Sequence, residues 1–158
     1  MLAVNASRLT LPALTGFTAT IDNVDVLRPL IPVFKTTLET LTLEGDEHGE
    51  LDSRSVDVLR PLAALASVAF VEYTVTEDFI RALAENDNWL WPLLTSMRFG
   101  GRATAGTCIL ETLDARNRAS RLQGGPRPIK RISFAPNSAT PSWLISQIRY
   151  HFEEGATG

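Results

Sequence analysis

Few side chains in this chain are of types that could do chemistry, and their spacing limits what they could do. Gly101-Arg102-Ala103-Thr104-Ala105-Gly106, followed by Thr107, has the glycine spacing of a phosphate-binding loop and stands between a strand pattern and a helix pattern, as such a loop must. The lysine that would reach the phosphates is missing, because Thr107 follows Gly106 directly. Glycines that permit a tight strand-to-helix turn explain the segment without a nucleotide. A small nucleotide- or phosphate-binding module using the Gly101–Gly106 turn is therefore the alternative reading.

Glu44, Asp46, Glu47, His48, Glu50 and Asp52 crowd one segment whose oxygens could hold a hard cation. No calcium-loop spacing is present, and acidic loops bearing glycine are usually solvated. Cys108, the one cysteine, cannot form an internal disulfide. With only His48 and His151 beside it there is no metal-ligand spacing, and it reads as a small buried hydrophobe near a helix start. Arg116, Arg118 and Arg121, ahead of Gly124-Gly125-Pro126, could meet phosphate or an acidic peptide but lack the interleaved aromatics of a single-strand binder. A solvated helix face and a long loop account for them. The expectation is a non-enzyme with no cofactor, no metal and no nucleic-acid partner.

Charge is unevenly spread. Residues 1–97 hold six basic and fourteen acidic side chains, whereas residues 98–131 hold eight basic against Glu111 and Asp114, so the net charge of −3 conceals a molecule polarised along its length. No apolar run approaches the ~18 residues that span a bilayer. The opening residues lack a basic start followed by an apolar core, and Asn5-Ala6-Ser7 has no meaning as a glycosylation triplet without export. A reducing compartment, cytoplasmic or nuclear, is expected, with no membrane partner.

The elements that must position these residues follow from a repeat. A six-residue pattern, apolar at its first, fourth and sixth positions, occurs five times: from Leu14 to Ala19, Leu38 to Leu43, Leu65 to Phe70, Leu94 to Phe99 and Ile129 to Phe134. The alternation that ends each block is a short strand with one buried face. The fourth positions, 17, 41, 68, 97 and 132, are 24, 27, 29 and 35 residues apart, mostly in or near the range of leucine-rich repeats.

Helical signals lie between the strands. Thr74 and Glu77 form a capping-box pattern before Phe79, Ile80 and Leu83, and Thr107 can cap a helix carrying Ile109, Leu110 and Leu113. Thr140-Pro141 starts a helix with Leu144, Ile148 and Phe152 at four-residue spacing and Gly155 as its stop. Val24-Asp25-Val26-Leu27-Arg28-Pro29-Leu30 recurs as Val56-Asp57-Val58-Leu59-Arg60-Pro61-Leu62. Each proline ends a helical turn, and the first copy carries about five extra residues, around Val33 to Thr37, before its strand.

These repeats, with segments such as Trp91-Pro92-Leu93-Leu94-Thr95-Ser96-Met97-Arg98-Phe99, resemble the leucine-rich-repeat region of fungal-type F-box proteins from Leu9 to about Phe152. The resemblance implies an α/β right-handed solenoid of about five strand-plus-helix repeats, one domain over 1–158 closed by a C-terminal helix at about 141–152. It also implies protein recognition, as at the substrate-binding end of a ubiquitin-ligase subunit. The family places Asn or Cys three residues past each strand, where this chain has Asp22, Asp46, Tyr73, Arg102 and Asn137. The F-box that would precede the repeats is absent, and a Skp-type adaptor is implied as a partner only with an upstream F-box.

On such a scaffold the residues between the buried ones line the concave face in rows: Gly16, Thr40, Ser67, Ser96 and Arg131; then Thr18, Thr42, Ala69, Arg98 and Ser133; then Thr20, Glu44, Val71, Gly100 and Ala135. Thr40, Thr42, Glu44, Ser96, Arg98, Arg131 and Ser133 are the candidate contacts to a protein partner. At the ends, Trp143 is expected to shield the flank of the last strand. Leu9, Leu11 and Leu14 begin without a polar cap, so self-association through the N-terminal edge is expected.

Overall fold

A computed structural model gives the structure of the chain and describes residues 14–46, 48–85, 88–101, 107–136 and 138–155. Five strands form one parallel sheet: β1 (Gly16–Thr20), β2 (Thr40–Glu44), β4 (Ser67–Val71), β6 (Ser96–Phe99) and β7 (Arg131–Phe134). They lie side by side in chain order and pair residue for residue, so that Phe17, Leu41, Val68, Met97 and Ile132 form one cross-strand row. Ala19, Leu43, Phe70, Phe99 and Phe134 form the next. In the three central strands both rows are buried, while the alternate positions are exposed or half-buried. One face of the sheet thus carries the core.

A parallel neighbour can be reached only by a crossover, and the four crossovers differ in form. Between β1 and β2 the chain makes a 3₁₀ turn at Val24–Leu27 and a short helix, α1 (Ile31–Phe34). Phe34 of α1 meets Phe17 of the edge strand with ring centroids 5.2 Å apart. The five extra residues expected before β2 are accounted for by α1 and the turn after it. The second copy of the duplicated heptapeptide lies in and just after α2 (Ser53–Leu59), where Asp52 caps the helix by accepting from the amides of Arg54 and Ser55, each at 3.0 Å. Identical residues thus form a 3₁₀ turn in one place and an α-helix in the other. A capping Asp followed by a reciprocal Ser55 favours the longer helix only in the second.

Two short strands, β3 (Glu50–Leu51) and β5 (Thr74–Val75), pair parallel as a second small sheet that the periodicity did not predict. Because Thr74 lies in β5, it is not the cap of the following helix. Thr76 caps α3 (Glu77–Arg81), accepting from the Phe79 amide at 3.4 Å. Thr107 does precede α4 (Cys108–Ala119), but its side chain makes no capping bond. The last helix, α5 (Ser142–Gly155), starts one residue after Pro141 and buries Leu144 and Ile148. Trp143 on α5, expected to shield the flank of β7, is half-exposed. β1 is an edge strand among the described residues, while Leu9 and Leu11, on which the expected edge association rested, lie outside them.

The crossover from β4 to β6 is irregular after α3, and a buried irregular chain must find donors for its carbonyls. Arg116 supplies them. It is fully buried in α4, and its guanidinium donates to the carbonyls of Leu83 (2.7 Å), Trp91 (2.7 Å), Leu90 (3.1 Å) and Arg127 (3.1 Å). No carboxylate lies within ion-pair distance among the described residues. Burial pushes its pKa down to about 10, which leaves the group charged at neutral pH. The expectation that Arg116 lies on a solvated helix face is overturned. The four carbonyl bonds of its planar fork offset the cost of burying the charge.

Trp91 adopts a left-handed backbone conformation (φ 49°), a strained state for a bulky residue. It is held from both ends. The indole Nε1 donates to the Leu59 carbonyl at 3.0 Å, the ring packs against Phe70 and Phe79, and the Trp91 carbonyl accepts from Arg116 and from the Leu94 amide. Removing the guanidinium strands several carbonyls at once, each worth about 1–3 kcal/mol when buried and unsatisfied. Arg116→Met is therefore expected to lower the unfolding free energy by at least about 3 kcal/mol. Urea denaturation checks this, and a loss below about 1 kcal/mol would show that water replaces the lost donors.

Candidate functional site

The pleat presents every second side chain on the face of the sheet opposite the core. There Gly16, Thr40, Ser67, Ser96 and Arg131 stand in one paired row and Thr18, Thr42, Ala69, Arg98 and Ser133 in the next. Thr20, Glu44 and Val71 continue a third row across three strands. The seven candidate contact residues, Thr40, Thr42, Glu44, Ser96, Arg98, Arg131 and Ser133, thus occupy one surface. Each is exposed or half-buried.

The surface is graded. On β2, Glu44 accepts a hydrogen bond from Thr20 at 3.2 Å, whereas Arg98 and Arg131, two and three strands away, are exposed without an ion pair among the described residues. Acidic and basic ends are separated by hydroxyls and an alanine.

Tyr73 stands two residues past the end of β4. It is buried, and its hydroxyl donates to the carbonyl of Ile21, just past β1, so one side chain bridges to the loop two strands away. Gly45 and Gly49 flank the ring, and a Cβ on either would come within 2.8 Å of ring carbons. Burial, with Asp22 and Asp46 nearby, raises the phenol pKa to about 12. Sequence reasoning marked position 73 as a departure but did not find this post. Two glycines four residues apart in the preceding loop were the available signal.

The glycine turn has a structural cause at its first member. A Cβ at Gly101 would lie 2.5 Å from the Tyr73 carbonyl oxygen and 2.8 Å from the Tyr73 nitrogen, so the backbone of the next loop requires glycine there. Arg102 to Gly106 lie outside the described residues, as do Glu47, Asn137 and the Asn5 triplet. The carboxylates of the acidic segment have separate structural tasks. Asp46 accepts from the His48 amide at 2.9 Å and Asp52 caps α2, while among the described residues no three His, Cys, Asp or Glu side chains converge as a metal site. Cys108 is buried at the start of α4, where its Sγ lies 3.8 Å from the Thr112 hydroxyl. Among the described residues, His151 makes no hydrogen bond or ion pair with Cys108. It pairs with Asp114 through Nδ1 at 3.3 Å, a contact between α5 and α4 that the sequence did not suggest.

These features define a mixed α/β protein built on a five-stranded parallel sheet, one face of which is open among the described residues. The fold is similar to that of a solved structure described as Leiomodin-1 Actin-Binding Site 2 (ABS2), with a TM-score of 0.51 over 92% of this chain and 84% of that chain at 13% sequence identity. At that identity the likeness concerns the fold alone. No family model and no curated protein sequence matches the chain. Among the described residues, no helix is long and apolar enough to cross a membrane.

The Tyr73 post yields a test with a defined sign. The folded protein keeps the phenolic proton to about pH 12, while an unfolded chain loses it near 10.0, so the contribution of this group is complete below pH 10.0 and is lost as pH rises toward 12. Tyr73→Phe should be less stable than wild type at pH 8 by about 1 kcal/mol, with the gap narrowing between pH 10.0 and 12 in urea titrations. A constant gap would mean that the hydroxyl ionises as freely as in water. Gly101→Ala, which forces backbone apart, should cost about 1–3 kcal/mol.

Proposed function

We propose that this chain is a right-handed leucine-rich-repeat solenoid of about five repeats and that it recognises another protein through the open face of its sheet, without catalysis. The observation that carries the reading is the residue-for-residue register of five parallel strands taken in chain order, which stacks equivalent positions into straight rows. A partner fitting these rows is a protein segment that presents carboxylates to Arg98 and Arg131 and a hydroxyl or cation toward Glu44, since complementary charge fixes orientation on a surface of small side chains. By its resemblance to the F-box group, the role is that of a substrate-capturing region, with a Skp-type adaptor joining only through an upstream F-box. The compartment that suits this role is cytoplasmic or nuclear.

Photo-crosslinking residues introduced singly at Thr42, Ser96 and Ser133 should give discrete protein adducts in cells, while one at Val26, exposed on a crossover, should not. Arg98→Glu should suppress those adducts at least tenfold without changing the melt, because an exposed strand substitution of this kind moves stability by only about 0.5 kcal/mol. Equal adducts from Val26, or adducts indifferent to Arg98→Glu, would show that the open face is not the recognition surface.

A further inference from the structure

A groove of about 690 Å³ lies between α4, the approach to β7 and α5. Arg118 and Arg121 reach it from the end of α4 and the turn beyond, Lys130 from the residue before β7, and His151 from α5. Asn117 ties the walls together by accepting from the Ile129 amide at 3.1 Å, and Pro128 and Phe152 supply apolar surface. Among the described residues Asp114 is the only carboxylate lining the groove, and it is engaged by His151 at 3.3 Å.

The ordinary preference of cations for a helix C-terminus accounts for Arg118, whose Nε donates to the Asp114 carbonyl at 3.3 Å. It does not account for Lys130 or His151, which come from other elements. Elsewhere Arg28, Arg60 and Arg81 each face a carboxylate within 3.3 Å, but among the described residues Arg118, Arg121 and Lys130 form no ion pair. Among the described lining residues, three permanent cations against one carboxylate leave a surplus of two positive charges, which matches the charge of a phosphate monoester at neutral pH.

We propose that this groove binds a phosphate monoester, with Arg118, Arg121 and Lys130 holding the phosphate oxygens and Phe152 and Pro128 contacting the group that carries it. A planar guanidinium meets two phosphate oxygens at once, and a groove of this size has room for the carrier as well as the phosphate. The site is separate from the open face of the sheet and does not depend on that face binding anything.

Phenyl phosphate, inorganic phosphate, benzoate and a phosphoserine peptide, each titrated into the full chain and followed by amide NMR shifts, test the proposal. Phenyl phosphate should give saturable shifts centred on Asn117, Lys130 and Phe152, bind at least fivefold more tightly than benzoate, and weaken at least tenfold in the Arg121→Gln/Lys130→Gln variant. The Arg131→Gln variant, altered on the open face, should bind as wild type does. Tighter binding of the peptide than of phenyl phosphate would assign the monoester to a protein, and equal or weaker binding to a small molecule. The proposal is overturned by non-saturating shifts, by benzoate binding equally well, by a correctly folded double variant that retains affinity, or by a mixed-sequence oligonucleotide binding where no monoester does.

Discussion

In a parallel ladder each strand must be re-entered from the same end, so every crossover has to deliver the chain to one starting point whatever its own length. The backbone enforces this before each strand. The carbonyl of Thr15 accepts from the amides of Glu39 and Thr40, Glu39 from Ala66 and Ser67, Ala66 from Thr95 and Ser96, and Thr95 from Lys130 and Arg131. The same forked bond appears four times and sets the register of all five strands. Buried Leu38, Leu65, Leu94 and Ile129, each just before its forked pair of amides, anchor the entry from beneath. Crossovers can then vary from a 3₁₀ turn to a twelve-residue helix without disturbing the rows.

That tolerance creates a second problem, since an irregular crossover has no ladder of its own. Between β4 and β6 the solution is a single cation. Arg116 gathers carbonyls from three stretches of chain, and in doing so couples α4 to a segment that precedes it by some thirty residues. The left-handed Trp91 belongs to the same arrangement: its indole and its carbonyl are both fixed, so the strain of its backbone is held by neighbours and not relieved by local rearrangement. Tyr73 plays the corresponding part at the other end of the strands, where its hydroxyl reaches Ile21 across the loop containing Gly45 and Gly49.

The strands were legible because alternation with a period of two leaves a mark even in four residues, and five repetitions of one template made their alignment readable too. The pair Glu50–Leu51 and Thr74–Val75 was not, since two residues carry no period. Its omission is also why Thr74 looked like a cap. Arg116 was misjudged for a different reason. Grouped with Arg118 and Arg121 it looked like a charged face, yet Cys108, Ile109, Thr112, Leu113 and Arg116 are the buried residues of α4 and follow one helical stripe. Reading the stripe before the charge would have placed Arg116 inside. The groove beside α5 could not be read, because Arg121 and Lys130 of the last crossover meet His151 only once α5 has folded back against α4.

Parallel sheets are ordinarily covered on both faces, with strands that read as continuous runs of large apolar residues. Among the described residues this sheet is covered on one. Its other face avoids that requirement by its side chains: Thr, Ser and Ala at the half-buried centre shield the backbone without needing a second layer, and β-branched threonine suits the pleat. Those properties explain why the face can remain open. They do not explain Arg98 and Arg131, two exposed cations on adjacent strands with no carboxylate to meet among the described residues. On the reading proposed above, these two guanidiniums form the end of the face that would meet a partner's carboxylates.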